Sequence, residues 1–352
     1  MVNGISELGF KQSIFIQHRG PLDDQPKYVY SGANVSVSYA YRSWMKVFFI
    51  ARVKKFYSEL LKSNLLKKES LIMAHFLMTD GAVACRAFEE LGTPYVVSIR
   101  NSDVNHYLKY RPWLKSLARR ILLNAKFIVF VSPSYLDIAK KNFGQTFFNE
   151  VISPKVRIIG NIINSSWYSE ISQKQSPNNK LRLIYFGEFS KNKRIESLIR
   201  AYDILNESID ITLTLVGNYG NNCKRIADMA LRRSGVRVID KINDINELIK
   251  LVDCHDIFVM PSKTETFGMS YIEAMSRGLP IIYTKGQGID GFFPDGLFGY
   301  SISEPLENSI AARVLDIAKN YNSLSAQAQI FSKQFDKKNI IKLYSELFSM
   351  IK

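Results

Sequence analysis

The stretch PSKTETFGMSYIEAMSRG, residues Pro261–Gly278, joins a predicted strand to a predicted helix. The residues just before it, DIFVM at 256–260, have the β-branched and aromatic content of a buried strand. Pro261 ends that strand because it has no N–H to donate to a ladder. Two carboxylates, Glu265 and Glu273, flank the junction. A loop that leaves a strand and enters a helix between two acidic residues is a candidate binding site.

The second half of this stretch predicts a helix over 269–277, because Gly278 and Pro280 after it are typical of a helix end. In an open parallel sheet, ligands bind outside the carboxyl ends of the strands, where a helix N-terminus presents free N–H groups to an anion. A carboxylate can accept hydrogen bonds from both hydroxyls of a vicinal diol. The junction therefore predicts a phosphate site with diol-binding carboxylates, whereas two Glu residues without this context would indicate a solvated face.

Strands and helices alternate along the chain, which indicates βαβ units and an α/β fold with parallel sheets. The predicted strands lie at 13–17, 71–75, 95–98, 127–131, 181–187, 211–216, 236–240, 256–260 and 280–284. Helices are predicted at 193–206, 221–233, 245–253, 269–277 and 337–351. A chain of 352 residues favours two domains, and the polar, aperiodic segment at 161–180 predicts the linker between them.

The two glutamates with their PS, FG, EAM and GxP context resemble the E-x7-E signature of the family 4 glycosyltransferases, which are retaining enzymes of the GT-B fold. The resemblance runs from about Leu71 to the C-terminus and is densest between Leu181 and Asp290. It implies two Rossmann-like parallel-sheet domains that face a cleft. The implied parts are an acceptor-side domain at 1–165, a nucleotide-sugar donor domain at 166–335, and a C-terminal helix at 336–352 that crosses back to the first domain.

The opening MVNGISELGFKQSIFI, residues 1–16, resembles the end of the family's first helix and its second strand. We therefore expect the first domain to lack its first strand. Either the true start lies upstream, or the protein lacks a central strand and part of its acceptor cleft.

The resemblance assigns roles to the residues of the junction. Glu265 would contact the hydroxyls of the donor sugar, and Glu273 would hold the ribose hydroxyls of the nucleotide. The backbone amides of Phe267, Gly268 and Met269 would face the sugar and phosphates.

The segment GEFSKNKR, residues Gly187–Arg194, resembles the family's G-R-x4-K-G element. Lys193 then stands where the family binds the donor diphosphate, and it would act in catalysis with Glu265. Glu188 replaces the family's Arg, so the expected substitute is Lys191, Arg194 or an Arg of the first domain. Without the matched spacing, a lysine here is equally well explained as a surface residue.

In the first half, SIRNSDVNHY at 98–107 stands where the family has His-Gly-Ser-Asp. Arg100 replaces the His and would bind a phosphate or a sugar carboxylate at the reaction centre. Asp103 would orient Arg100 or an acceptor hydroxyl. The alternatives are a strand-end salt bridge between the two residues and, for His75, a buried structural histidine.

Most of the net charge of +15 lies in residues 1–170. Two segments, Tyr41–Lys68 and Tyr107–Lys126, mix Lys and Arg with Trp, Phe or Tyr at helix-compatible spacing. Basic amphipathic helices with aromatic residues are typical of surfaces that bind anionic lipid. A nucleic-acid patch and a solvated face over a core helix are the alternatives, and no nucleic-acid motif accompanies the charge.

The composition and the absence of certain motifs bear on the location of the protein and on its cofactors. The chain has no apolar run of 18 residues and no signal-peptide pattern at its start, and its three Cys residues form no CxxC pair. These features favour a cytoplasmic protein that binds the inner face of the membrane peripherally. No D-x-D or H-E-x-x-H motif is present, so no metal or other cofactor is expected.

Together these features predict a metal-independent, retaining glycosyltransferase of the hexosyltransferase type. It would move a sugar from a nucleotide-diphosphate sugar to a glycan or a polyprenyl-diphosphate-linked glycan in surface polysaccharide biosynthesis, such as that of lipopolysaccharide or capsule. The alternatives are an inactive or scaffolding GT-B protein at the membrane and a nucleotide-sugar epimerase.

Overall fold

A computed structural model describes residues 2–7, 9–18, 30, 32–100, 102–103, 107–170, 174–177 and 180–351. The chain divides into two compact units. Unit 1 comprises Met1–Val131, Leu136–Ile159 and Ile340–Lys352, and unit 2 comprises Ser132–Tyr135 and Gly160–Asn339.

The first half of the chain forms six strands and seven helices in its described residues. The strands are β1 Gln12–Gln17, β2 Ala33–Ser38, β3 Ile72–Ala74, β4 Tyr95–Ile99, β5 Phe127–Phe130 and β6 Val156–Ile158. The helices are α1 Val2–Glu7, α2 Phe49–Lys62, α3 Thr79–Leu91, α4 Leu108–Tyr110, α5 Lys115–Asn124, α6 Ser134–Phe143 and α7 Gln145–Phe147.

The strands of unit 1 form two separate parallel sheets among the residues described. One contains β1 and β2, and the other has the order β3-β4-β5-β6. All five residues of β4 are buried, as expected for a strand covered on both faces. The absence of a first strand stays a prediction, because these sheets do not test it.

Unit 2 contains a single parallel sheet of six strands with the order β12-β11-β10-β7-β8-β9. The strands are β7 Leu181–Phe186, β8 Ile211–Gly217, β9 Val236–Asp240, β10 Ile257–Val259, β11 Ile281–Thr284 and β12 Gly299–Ile302. The helices of the second half are α8 Ile195–Asn206, α9 Cys223–Ala230, α10 Ile245–Asp253, α11 Met269–Ser276, α12 Glu307–Lys319, α13 Tyr321–Ser332 and α14 Lys337–Ser349, the last of which has its residues from Ile340 onward in unit 1.

The α/β prediction with two parallel-sheet domains is confirmed, and each predicted strand lies within two residues of an observed one. The strands β2, β6 and β12 were not predicted. The two basic segments are helical as their spacing predicted, and each is divided into shorter elements. A short 3₁₀ turn at Ser43–Lys46 precedes α2, and Pro112, which cannot continue a helical ladder, opens a 3₁₀ turn between α4 and α5.

Candidate active site

The sheet order of unit 2 creates a topological switch point between β7 and β10. The chain leaves β7 toward β8 and β9 on one side, and returns to β10 and β11 on the other side. Ligands of open parallel sheets bind outside the carboxyl ends of the strands at such a point. The loops that leave β7 and β10 carry Lys193 and Glu265, so the topology alone brings these two side chains to the same edge.

Lys193 and Glu265 form an ion pair at this edge, with 2.6 Å between Lys193 Nζ and Glu265 Oε2. Both side chains are largely buried, which makes the pair stronger than an exposed one. The backbone around Glu265 is also held in place, because its N–H donates to Gln287 Oε1 and its carbonyl accepts from the N–H of Gly288. The Glu265 carboxylate is therefore held beside a cation.

Asn192 joins the two loops that carry this pair. Its side-chain amide donates to the Thr264 carbonyl, and its side-chain oxygen accepts from both the N–H and the hydroxyl of Thr264 at 2.6–3.1 Å. Its backbone carbonyl accepts from the N–H of Lys263. Sequence analysis missed Asn192 and Gln287, because an amide side chain in a loop has no pattern that reveals its partner.

We expect Asn192→Ala to destabilise the protein by about 1–3 kcal/mol, because it removes three side-chain hydrogen bonds at half-buried positions. Donor affinity should fall as well, because Asn192 no longer bonds the loop that carries Lys193 to the loop that carries Glu265. Thermal unfolding and nucleotide titration measure both effects. Asn246→Ala, at an exposed position on α10, is the control. Unchanged unfolding and unchanged affinity in Asn192→Ala would show that this network does not hold the site.

Glu273 lies on α11, one helical turn beyond its start. Burial raises the pKa of its carboxyl to about 7. Among the residues that the structure describes, none donates a hydrogen bond to this carboxylate or pairs with it. Glu273 is half-buried, and a carboxylate without a partner in such a position costs desolvation energy. Glu273 is thus available to accept hydrogen bonds from a bound molecule.

The residues between the two glutamates shape the backbone that meets them. Gly268 has φ +77°, and a Cβ there would lie 2.3 Å from the Tyr271 ring, so only glycine fits without strain. Phe267 is buried, and its ring packs against Phe292 and Phe335, which leaves only its backbone for a ligand. Met269 is the first residue of α11 and is exposed.

The remaining predicted donor residues lie around the loop after β7. The N–H of Gly187 donates to the Val216 carbonyl, and Glu188 is exposed. Lys191 and Arg194 are exposed as well, and they line a pocket of about 270 Å³ together with Arg200 and Arg225. Lys193 is not among the residues that line this pocket. The structure thus pairs Lys193 with Glu265 and places the two neighbouring cations around a pocket that Lys193 does not line.

In unit 1, Asp103 is fully buried and accepts three backbone hydrogen bonds. Its oxygens bind the N–H groups of Leu77, Met78 and Arg100 at 2.9–3.0 Å. Burial raises the pKa of Asp103 to about 6 in spite of these bonds. Asp103 therefore ties the loop after β3 to the loop after β4, in contact with the backbone of Arg100.

Arg100 follows β4 and is half-buried. Burial lowers the pKa of His75, which lies at the end of the neighbouring strand β3, and the charge of Arg100 lowers it further. Burial raises the pKa of Tyr344 on α14, and the charge of Arg100 partly opposes this rise. Asn101, part of the same predicted motif, lies outside the described residues.

Within the described ranges, no group of three or more His, Cys, Asp or Glu residues is arranged to hold a metal ion. No helix in the described part of the chain has the length and apolar character needed to cross a membrane.

Comparison with known proteins places the site in context. The family of glycosyl transferases group 1 matches residues 169–335. TuaC of Bacillus subtilis, a glycosyltransferase named for teichuronic acid biosynthesis, is 26% identical over 224 residues, which are 63% of this chain and 55% of TuaC. The lipopolysaccharide 1,2-N-acetylglucosaminetransferase of Salmonella typhimurium is 25% identical over 236 residues, which are 59% of this chain and 60% of that protein.

A solved structure shows the fold more completely. The crystal structure of Anabaena HepE in complex with UDP superposes with a TM-score of 0.72 at 17% sequence identity, and the match covers 96% of this chain and 100% of HepE. The chain therefore has the two Rossmann-like, parallel-sheet units of the GT-B fold.

Proposed function

Because residues 169–335 match the family of group 1 glycosyl transferases, we propose that this chain transfers a sugar from a nucleotide-diphosphate sugar to a hydroxyl of a glycan acceptor. The observation that carries the proposal is the buried ion pair of Lys193 and Glu265 at the switch point of unit 2, with the unpartnered Glu273 on the following helix. This set offers one cation for a diphosphate and two carboxylates for hydroxyl groups. Structures of HepE with UDP and with UDP-glucose make a uridine nucleotide the first donor to test.

In the proposed reaction, Glu273 accepts hydrogen bonds from the ribose hydroxyls and Glu265 from hydroxyls of the donor sugar. The diphosphate would lie against Lys193 and the backbone amides from Phe267 to Met269. The bond between the anomeric carbon and the diphosphate breaks while the acceptor oxygen bonds to that carbon from the same face, and the acceptor proton passes to the departing diphosphate. The anomeric configuration is retained in this scheme. Lys193 stabilises the charge that develops on the leaving group.

We propose that no metal takes part in this reaction. Lys193, with the N–H groups at the start of α11, supplies positive potential where a metal would otherwise be needed. Turnover that is unchanged after chelation and dialysis supports this proposal, whereas turnover that depends on added Mg²⁺ or Mn²⁺ contradicts it.

The acceptor we propose is a lipid-linked glycan, such as a polyprenyl-diphosphate-linked one, at the cytoplasmic face of the membrane. Two relatives are named for teichuronic acid biosynthesis and for lipopolysaccharide, which supports a role in surface polysaccharide assembly. Arg100 would bind an anionic group of the donor or acceptor from unit 1, and Asp103 would hold its loop.

The test is turnover and binding against a panel of nucleotide sugars, with and without lipid-linked acceptors. Transfer with retention at the anomeric carbon, read by NMR of the product, supports the proposal, and an inverted product contradicts the mechanism. A new nucleotide sugar formed without any acceptor would indicate an epimerase. No binding of any nucleotide sugar would contradict the enzymatic function.

Donor affinity is expected to rise with pH between about pH 6 and pH 8. Because burial raises the pKa of Glu273 to about 7, this carboxyl is mostly protonated at pH 6 and cannot accept both ribose hydrogen bonds. Each pH unit below 7 should weaken binding about tenfold, and the affinity should level off above pH 8. Titration calorimetry at constant ionic strength measures the profile. A flat profile for the wild-type protein would show that Glu273 does not bind the donor as a carboxylate.

A further inference from the structure

Unit 1 exposes a group of large apolar side chains outside the predicted site. Trp44, Val47 and Phe48 are 50%, 72% and 61% exposed, and Trp113 is 70% exposed. Ile50 and Tyr110 are also more than half exposed. We call these six residues the aromatic patch. Single exposed apolar residues are normal on protein surfaces, but a group of them with two tryptophans is not.

The two segments that carry the aromatic patch are bonded to each other. Arg111 Nη2 donates to the Lys46 carbonyl at 2.8 Å, and the ring centroids of Phe49 and Tyr107 are 5.8 Å apart. Arg52 donates to the Tyr107 hydroxyl. These contacts hold the two segments of the patch side by side, although they come from distant parts of the chain.

A buried layer supports the patch from beneath. Met45, Phe49 and Val53 of the first segment are buried, as are Leu108 and Leu114 of the second. Buried and exposed apolar residues thus alternate along both segments, and the buried ones account for the packing. The exposed ones contribute nothing to the core, so folding alone does not explain their presence.

Positive charge surrounds the aromatic patch. Arg42, Lys46 and Lys109 are exposed, and Lys115 follows Trp113 by two residues. No Asp or Glu occurs in residues 41–58 or in residues 107–126. The Lys109 ammonium lies 5.3 Å from the centre of the Tyr110 ring. A partner of complementary chemistry must be apolar in its interior and negatively charged at its surface.

We propose that the aromatic patch inserts into the interface of an anionic lipid bilayer. Trp and Tyr side chains favour the boundary between headgroups and acyl chains, and the surrounding Lys and Arg residues attract anionic headgroups. The lipid-linked acceptor of the proposed function gives this binding its use, but the binding itself requires neither donor nor acceptor. Two insertion segments on unit 1 would keep the protein at the surface where such an acceptor lies.

The tryptophans themselves provide the first measurement. The chain has three, and Trp167 is buried while Trp44 and Trp113 belong to the patch. With phosphatidylglycerol-containing vesicles, we expect the emission to shift to shorter wavelength and to be quenched by spin-labelled acyl chains. Vesicles of phosphatidylcholine alone should bind at least about tenfold more weakly. Cosedimentation without any spectral shift would mean adsorption by charge only, and would overturn insertion.

A double variant, Val47→Ser with Phe48→Ser, keeps both reporter tryptophans and removes two exposed apolar side chains. We expect at least a tenfold loss of vesicle binding with an unchanged unfolding temperature. Leu231→Ser, at an 85% exposed position in unit 2, is the matched control and should bind like the wild type. Equal binding by the double variant and the control would overturn the proposal. A dimer in lipid-free solution that the double variant dissociates would instead assign the patch to a second copy of this chain.

Nucleotide-sugar binding measured on the same preparations separates the two proposals. Donor binding without vesicle binding rejects membrane insertion of the aromatic patch and leaves the proposed function intact. Vesicle binding without donor binding supports membrane insertion of the aromatic patch and contradicts the proposed function.

Discussion

Lys193→Ala is expected to lower kcat/KM by about 10²–10³-fold, because it removes the cation that stabilises charge on the departing diphosphate. The position of the ammonium, 2.6 Å from Glu265 and largely buried, gives it more influence on a bound charge than an exposed lysine would have. Steady-state kinetics with the preferred donor measures the loss. Lys250→Ala, at an exposed position on α10, should change turnover little. A similar loss in both variants would mean that net charge, and not the position of Lys193, matters.

The same substitution also leaves the Glu265 carboxylate without its partner, which adds a cost unrelated to catalysis. The double variant Lys193→Ala with Glu265→Gln removes the cost of the unpaired carboxylate. If the two residues act on the same donor, the double variant should lose less than the sum of the single losses. Strict additivity would contradict a shared role in donor binding.

Glu273→Gln is expected to abolish donor binding and to stabilise the free protein at the same time. Burial raises the pKa of this carboxyl to about 7, so its charged form is disfavoured in the folded state. A group with a raised folded-state pKa contributes stability below its unfolded pKa, and that contribution is lost as pH rises through the folded pKa. At pH 8 the charged Glu273 carboxylate therefore destabilises the folded wild type by its full desolvation cost. The neutral amide of Glu273→Gln removes up to roughly 3 kcal/mol of that cost.

Thermal unfolding as a function of pH tests this prediction. The variant should be more stable than the wild type at pH 8, and the difference should shrink from pH 7 toward pH 4.5. Glu304→Gln, at an exposed loop position, should show neither effect. A Glu273→Gln protein that is less stable at pH 8, yet binds donor normally, would identify Glu273 as a structural residue.

Much of unit 2 could be predicted because its strands are short apolar runs between clear helix and loop signals. The pattern at 256–278 predicted both β10 and α11, and the resemblance to the family predicted roles for Lys193 and Glu265. Their direct contact needed the sheet order, because β7 and β10 are neighbours in the sheet while two strands separate them in sequence. The network of Asn192 could not be predicted for the same reason.

Unit 1 was harder to predict. The strand β6 has only three residues, all half-buried, so its pattern differs little from that of a loop. Helix-compatible spacing in the basic segments predicted amphipathic helices without bounds, and Pro112 and the turn at Ser43–Lys46 determine where the observed helices begin and end. The charge and aromatic content were nevertheless visible in the sequence. Only the structure shows which aromatic residues are buried and which form the exposed patch.

The buried carboxylate of Asp103 gives unit 1 a mechanical property. Because one side chain bonds the backbones of Leu77, Met78 and Arg100, the positions of the two loops are coupled at this point. A molecule that presses on the loop after β3 would thereby displace Arg100 without touching it. Loss of turnover after a change at position 103 would then report a shifted guanidinium, and would give no reason to assign Asp103 a proton-transfer step.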